Sequence, residues 1–223
     1  MGDSATANIY RSTASKIEAT LGAHYNGQFI YESTNRPKDS AVITALNIGY
    51  MGDDIFAPNS AEVAGTIETL NDVFNAMFPI NAYDTRAGLG GVLYGRYEGD
   101  IYAGGNPWIL STAGLAQLYY DGAKVTMERR QLPSSRALSV FRRILSKPLP
   151  ARPTYLEFAR AVAQEGDDVL FRLRSHVAPS GFHLSEQLDK VTGQEISAGD
   201  LTWSYAALLK AMYYRTNAFN HLY

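Results

Sequence analysis

Two stretches constrain this chain more than any others: PWILSTAGLAQLYY at 107–120 and LTWSYAALLKAMYY at 201–214. Each reads as a helix whose residues are apolar or small nearly all round. Such a helix has no face to give to water, so the pattern predicts that both are enclosed by neighbouring helices. Asn106 before Pro107 and Asp200 before Leu201 offer N-cap chemistry, and proline is acceptable at the first helical position.

The period around these stretches is also helical. Val63, Ile67, Leu70, Phe74 and Met77 recur three and four apart after Asn59 and Ser60, either of which suits an N-cap. Similar patterns run over 13–25, 38–50, 136–145 and 153–176, giving about seven helices in all. Alternating strand patterns are scarce, and Gln28-Phe29-Ile30-Tyr31 is the best short candidate. The expectation is an all-α chain, and without repeats, low-complexity tracts or linkers it reads as one domain. Apolar residues make up 46% and charged residues 19%, enough to bury a core and exclude disorder.

Several functions are excluded or disfavoured at this level. Twenty basic against 22 acidic residues leave a charge of −2, without the footprint of a nucleic-acid binder. Cysteine is absent, which removes disulfides, thiolate metal sites and cysteine nucleophiles. No apolar run reaches membrane-spanning length, and Met1-Gly2-Asp3-Ser4 lacks a signal pattern. Gly88-Leu89-Gly90 begins a dinucleotide fingerprint, but position 93 is Leu. The four histidines (24, 176, 183 and 221) are scattered, and Asp53-Asp54 and Asp167-Asp168 lack the spacing of cation ligands. No metal or cofactor is expected. Ser180, His183 and Asp189 have the ingredients of a triad without a nucleophile elbow.

Two loops are richer than connection demands. Residues 87–106 (AGLGGVLYGRYEGDIYAGGN) carry seven glycines beside Arg96, Asp100 and Tyr102, and lead into Trp108. Residues 178–200 carry Glu186 in HLSEQLDK. Ordering long glycine-rich loops costs about 1–2 kcal/mol per residue, so inside a helical domain they are either disordered or functional. If helices 107–120 and 201–214 lie side by side, both loops meet at one rim. Aromatic platforms, an arginine fork and a carboxylate at one rim suit a neutral sugar, whose rings stack and whose hydroxyls need directional partners. By residue type alone, a lone Glu such as Glu186 is usually a solvated surface carboxylate, Trp108 and Trp203 are more often core than ligand platform, and Arg96 most often just pairs with Glu98 or Asp100.

The segments GRYEGDIYAGGNPWILSTAGLAQLY (95–119) and SGFHLSEQLDKVTGQEISAGDLTWSYAALL (180–209), with RPKDSAVITALNIGY (36–50), resemble the glucoamylases (glucan 1,4-α-glucosidases) of glycoside hydrolase family 15. The resemblance runs from about Thr13 to the end and is weaker over 124–177. It implies an (α/α)6 barrel, and inverting release of glucose from the ends of starch-like or glycogen-like α-glucans and maltooligosaccharides. It places Glu186 at the general base and Arg96 at the arginine that binds hydroxyls of the sugar being cleaved. Asp100, Tyr102 and Trp108 match neighbours on the substrate-binding rim, and Ser197 and Trp203 lie near the base, with Ser197 placed to tune it.

An inverting glycosidase needs two carboxyl groups roughly 6.5–9.5 Å apart. In the resembled family the acid stands in a Trp-Glu-Glu context, whereas neither Trp108 nor Trp203 precedes paired glutamates. The early barrel helices and their arginine–aspartate loop are absent too. The expectation is therefore the C-terminal portion of a single catalytic domain over 1–223, carrying the base without the acid and inactive alone. Its partner would be the N-terminal half of the barrel, and its own inner helices would be left partly uncovered. Secretion is the family habit, although the chain shows no signal segment and no Asn-x-Ser/Thr acceptor. The alternatives are a non-catalytic glucoamylase-like domain that binds glucan or regulates a partner, and a helical interaction protein unrelated to sugars.

Overall fold

Helix α5 (Ile109–Arg129) is the most enclosed element, and three other helices are placed by covering it. The computed structural model describes residues 3–222, apart from the side chain of His221; Met1 and Gly2, with which the signal reading begins, lie outside it. Along α5, apolar Ile109, Leu115, Leu118 and Val125 alternate with small Ala113, Ala116 and Ala123, and all are buried. Small residues let neighbours approach closely, while the larger ones fill the remaining space at interior density. Helices α7 (Tyr155–Val177), α8 (Thr202–Leu222) and α2 (Ala41–Gly49) pack against it. Helix α3 (Ala61–Met77) lies on α6 (Ser135–Ile144) and turns into α4 (Pro79–Arg86). A two-residue antiparallel ribbon, β1 (Gln187–Leu188) and β2 (Glu195–Ile196), sits in the loop before α8. Helix α1 (Ser4–Leu21) buries none of its residues.

The enclosed-helix expectation holds for α5 and fails for α8. Ser204, Ala211, Ala218 and Leu222 are its buried side. The opposite side leaves Trp203 60%, Leu209 66% and Tyr213 64% exposed, because no element among the described residues covers it. Neither anticipated cap near these helices forms. Trp108 takes the N-cap position of α5 with extended backbone, and Asp200 adopts a left-handed conformation (φ 49°) with its carboxylate on Tyr205 and His183. Ser60, not Asn59, caps α3 by accepting the Val63 N–H. The stretch 28–31 makes only an isolated bridge between Tyr25 and Ile30. The first helix begins at Ser4, capped by Asp3, well before the apolar pattern at 13. Helix α4 and the β-ribbon were not signalled by any pattern.

The glycine-rich loop after α4 is ordered by buried polar groups. Arg172 on α7 is 1% exposed and donates to the carbonyls of Leu89, Gly90 and Asn81, to Asn81 Oδ1 and to Thr85 Oγ1. Asp84 is its counter-charge, 4.0 Å from Nε, and also meets His176 Nε2 at 2.7 Å. Asn81 in turn brackets Leu93, donating to its carbonyl (3.0 Å) and accepting its N–H (2.9 Å). Gly91, at φ 74°, passes so close to α7 that a Cβ would come within 2.7 Å of the Val169 backbone. Glycine is required there by both conformation and space.

Replacing Arg172 with Met removes every one of these donors and leaves the buried Asp84 carboxylate with His176 alone as partner. Urea unfolding of Arg172→Met is expected to lose about 3–5 kcal/mol, the usual cost of breaking a buried pair. Asp121 on α5 behaves oppositely. Burial pushes its carboxyl up to about 7, against the pull of Gln117, Lys124 and Lys210. The fold favours its neutral form, so the penalty is absent below the ordinary carboxylate range and complete above about pH 7. Asp121→Asn should therefore stabilise the protein by on the order of 2 kcal/mol at pH 8 and by much less at pH 4, read from paired thermal melts.

Candidate functional site

The loop that Arg172 anchors leads straight to the site. Tyr94 is fully buried, donating its N–H to Thr112 Oγ1 (3.0 Å) and accepting the Trp108 N–H at its carbonyl (2.7 Å). Two residues later, the Arg96 carbonyl accepts the Ser40 N–H (2.6 Å) and the Lys38 carbonyl accepts the Glu98 N–H (3.0 Å), with Asp39 opposite Tyr97. The backbone is thus fixed on both sides of Arg96 before its side chain is considered.

Arg96 Nε and Nη2 donate to the two oxygens of Asp100 at 2.8 and 2.7 Å, a bidentate fork. Its guanidinium carbon lies 4.6 Å from the Tyr102 ring centroid, 5.3 Å from Trp108 and 5.2 Å from Tyr97. Burial works to raise the Asp100 carboxyl, but the Arg96 hydrogen bond and the Tyr102 N–H outweigh it and hold the group below its ordinary range. The Asp100 pairing likewise pushes Arg96 up, so both remain charged. Between Asp100 and Asn106 the chain turns through left-handed Ala103, Gly104 and Gly105. A Cβ on Gly105 would collide with the Asp100 carbonyl. Trp108 is 7% exposed, and its buried indole N–H has no acceptor among the described residues. Such an orphaned donor costs about 1–3 kcal/mol.

Glu186 reaches this cluster through the backbone. Leu188 N–H donates to the Pro107 carbonyl (2.9 Å) and Ile109 N–H to the Glu186 carbonyl (3.3 Å), placing Trp108 opposite Gln187. The half-buried Glu186 carboxylate accepts from Gln187 Nε2 at 3.3 Å. Arg96, Asp100, Tyr102 and Trp108 therefore form one contact cluster, with Glu186 on the adjoining backbone just before β1. Ser197 adjoins the Glu186 segment through the main chain, and Trp203 makes no hydrogen bond to it among the described residues. Ser197 is exposed with φ 68° and precedes Ala198, whose carbonyl accepts the Glu186 N–H (2.8 Å). No hydrogen bond joins its hydroxyl to the Glu186 carboxylate among the described residues. Trp203 stands exposed on the first turn of α8.

Three further residues take part in ways that residue type does not reveal. Tyr97 is stacked by both Arg36 (4.5 Å) and Arg96. Asn106 links both loops, donating to the Ala103 carbonyl (2.7 Å) and Gln187 Oε1 (3.1 Å) and accepting the Lys190 N–H (3.2 Å). Gln187 is fully buried. The signal for Asn106 was present in the sequence, since an Asn-Pro junction suits a cap, but the side chain serves a loop instead of a helix. The triad ingredients disperse: His183 pairs with Asp200 at 2.8 Å, Ser180 donates to the Val177 carbonyl, and Asp189 caps Val191 and Thr192. Asp54 and Asp167 pair with Arg129 and Arg215.

Comparison with known proteins decides the affiliation. The sequence profile of glycosyl hydrolases family 15 matches residues 1–213. The chain belongs to glycosyl hydrolases family 15. It is 30% identical over 238 residues to glucoamylase 1 of Rhizopus oryzae, covering 97% of this chain and 39% of that protein. The structure of a glycoside hydrolase family 15 glucoamylase from Hypocrea jecorina superposes with a TM-score of 0.80 at 25% identity, over 93% of this chain and 37% of its own. The glucoamylase from Saccharomycopsis fibuligera, at 23% identity, shares the fold, with a TM-score of 0.81 over 97% of this chain and 51% of that one. The fold is accordingly the mostly helical (α/α)6 type of this family. The chain spans about 40% of the length of the curated relatives it matches.

Asp100→Ala in this family 15 chain would free Arg96 from its plane and leave the Tyr102 N–H without its acceptor. With Arg96 a third exposed and partly screened, thermal unfolding is expected to lose about 1–2 kcal/mol.

Proposed function

We propose that this chain is the C-terminal portion of the catalytic domain of an inverting exo-glucosidase acting on α-1,4-linked glucans. In this reading Glu186 is the general base. It takes a proton from the water that attacks C1 of the terminal glucose, while the glycosidic C1–O bond breaks on the opposite face. The leaving oxygen needs a proton from a second carboxyl, which lies outside these 223 residues. Arg96 binds sugar hydroxyls: Asp100 occupies its Nε and Nη2, so the Nη1 hydrogens stay outside that pairing. Tyr102 and Trp108 supply the apolar platform for the ring. Ser197 and Trp203 belong to the surroundings of the base.

The observation that supports this reading is the main-chain pairing of 107–109 with 186–188, through which the Glu186 backbone runs alongside the segment that carries Trp108. Family membership and the glucoamylase relatives support the glycosidase class.

α-Glucosyl fluoride separates the base from the missing acid, because fluoride leaves without being protonated. The chain is expected to release fluoride above the uncatalysed rate while freeing almost no glucose from maltose. Glu186→Gln should lower that release by about 10²-fold or more. Binding of maltose without any fluoride release would favour a glucan-binding, regulatory domain instead, and rapid glucose release from maltose by the chain would refute the absent acid.

A further inference from the structure

All six main-chain polar groups of Leu184, Ser185 and Glu186 are occupied, and half of them are held by side chains. The Leu184 carbonyl accepts the Leu201 N–H (2.9 Å), the Glu186 N–H goes to Ala198 (2.8 Å), and the Glu186 carbonyl accepts the Ile109 N–H (3.3 Å). The rest is done by three side chains. Leu184 N–H donates to the Tyr205 hydroxyl (3.1 Å), Ser185 N–H donates to Glu195 Oε1 (2.9 Å), and Ser204 Oγ donates to the Ser185 carbonyl (2.8 Å). The Tyr205 hydroxyl is itself aimed, donating to Asp200 Oδ1 at 2.6 Å, which His183 Nδ1 meets at 2.8 Å.

This density of restraint has a visible cost. Ser204 is completely buried, and Glu195 Oε2 is buried without a partner among the described residues. Phe182, Ser197 and Asp200, all non-glycine, sit in the left-handed region at φ 69°, 68° and 49°. Backbone strain of about 1–3 kcal/mol per residue persists only where the surroundings over-determine it. A loop that needed merely to connect α7 to α8 would require none of this. What the restraints share is that they converge on the two residues before Glu186 and on Glu186 itself.

We propose that Glu195, Ser204 and Tyr205 are positioning residues that fix the Glu186 carboxylate relative to Arg96 and Trp108, an inference that rests on the general-base reading above. None of the three acts on the sugar. Glu195, from β2, and Ser204 and Tyr205, from the first turn of α8, clamp the backbone from which the base projects. The start of α8 thereby acts as the ruler for the base. Because a misplacement of about 1 Å costs about 10²-fold, releasing one clamp acts on turnover more than on binding.

The test is α-glucosyl fluoride hydrolysis by the 223-residue chain, with kcat and KM measured separately and thermal melts run on each variant. Tyr205→Phe and Glu195→Ala should lower kcat by about 10- to 100-fold with KM within about threefold. Glu195→Gln keeps an acceptor oxygen for Ser185 and should return kcat to within about threefold of the parent, a rescue that a charge effect would not give. Ser204→Ala, which deletes one hydroxyl, takes the place of either variant that fails to fold, with the same expected loss of kcat. Parental kcat in Tyr205→Phe and Glu195→Ala, with Glu186→Gln inactive, overturns the positioning role and leaves the base in place. A Glu195→Gln variant as impaired as Glu195→Ala overturns it too. Unchanged release in Glu186→Gln, or no release by the parent, overturns the base reading and this inference with it.

Discussion

The burial of α5 on nearly every side is the constraint from which the rest of the structure follows. A helix that is apolar or small nearly all round over residues 109–120 has no face there suited to water, so α7, α8 and α2 close around it. Its first residues then have to emerge from the core at a fixed place, and both long loops are tied to that place. Tyr94 binds the Trp108 N–H from one loop, and Glu186 and Leu188 pair with 107–109 from the other. The candidate site is, in physical terms, the mouth of the most deeply buried helix.

The two loops are held by different chemistry. The glycine-rich segment is gripped from within by Arg172 and Asn81, a buried charge and a buried amide that satisfy carbonyls no helix or sheet partner reaches. The Glu186 segment is gripped by the hydroxyls of Ser204 and Tyr205 and the carboxylate of Glu195. Polar groups withdrawn from water must be paired, and in both loops the pairing fixes a single path for the chain.

Much of this was legible in the residues, because helical periodicity reports burial directly. The stripe from Val63 to Met77, the long helix at 155–177 and the enclosure of α5 follow from spacing. The rim of Arg96, Asp100, Tyr102 and Trp108 was legible as a grouping because these residues are close in sequence. What was hidden depends on partners distant in sequence. Whether Asn106 caps a helix or bridges two loops is decided by Gln187, 81 residues away. Whether Asp200 starts a helix or orients Tyr205 depends on His183. The exposure of α8 was concealed for another reason: apolar composition says that a face wants cover, and cannot say whether the same chain provides it.

The placement of the two tryptophans has a spectroscopic consequence. Trp108 opens α5 inside the arginine–aromatic cluster and is nearly sealed from solvent, whereas Trp203 opens α8 in contact with water. Their emission should differ in wavelength and in accessibility to a dissolved quencher. The protein thus carries two unlabelled reporters, one inside the cluster and one on the exposed side of α8, with no other indole to blur them.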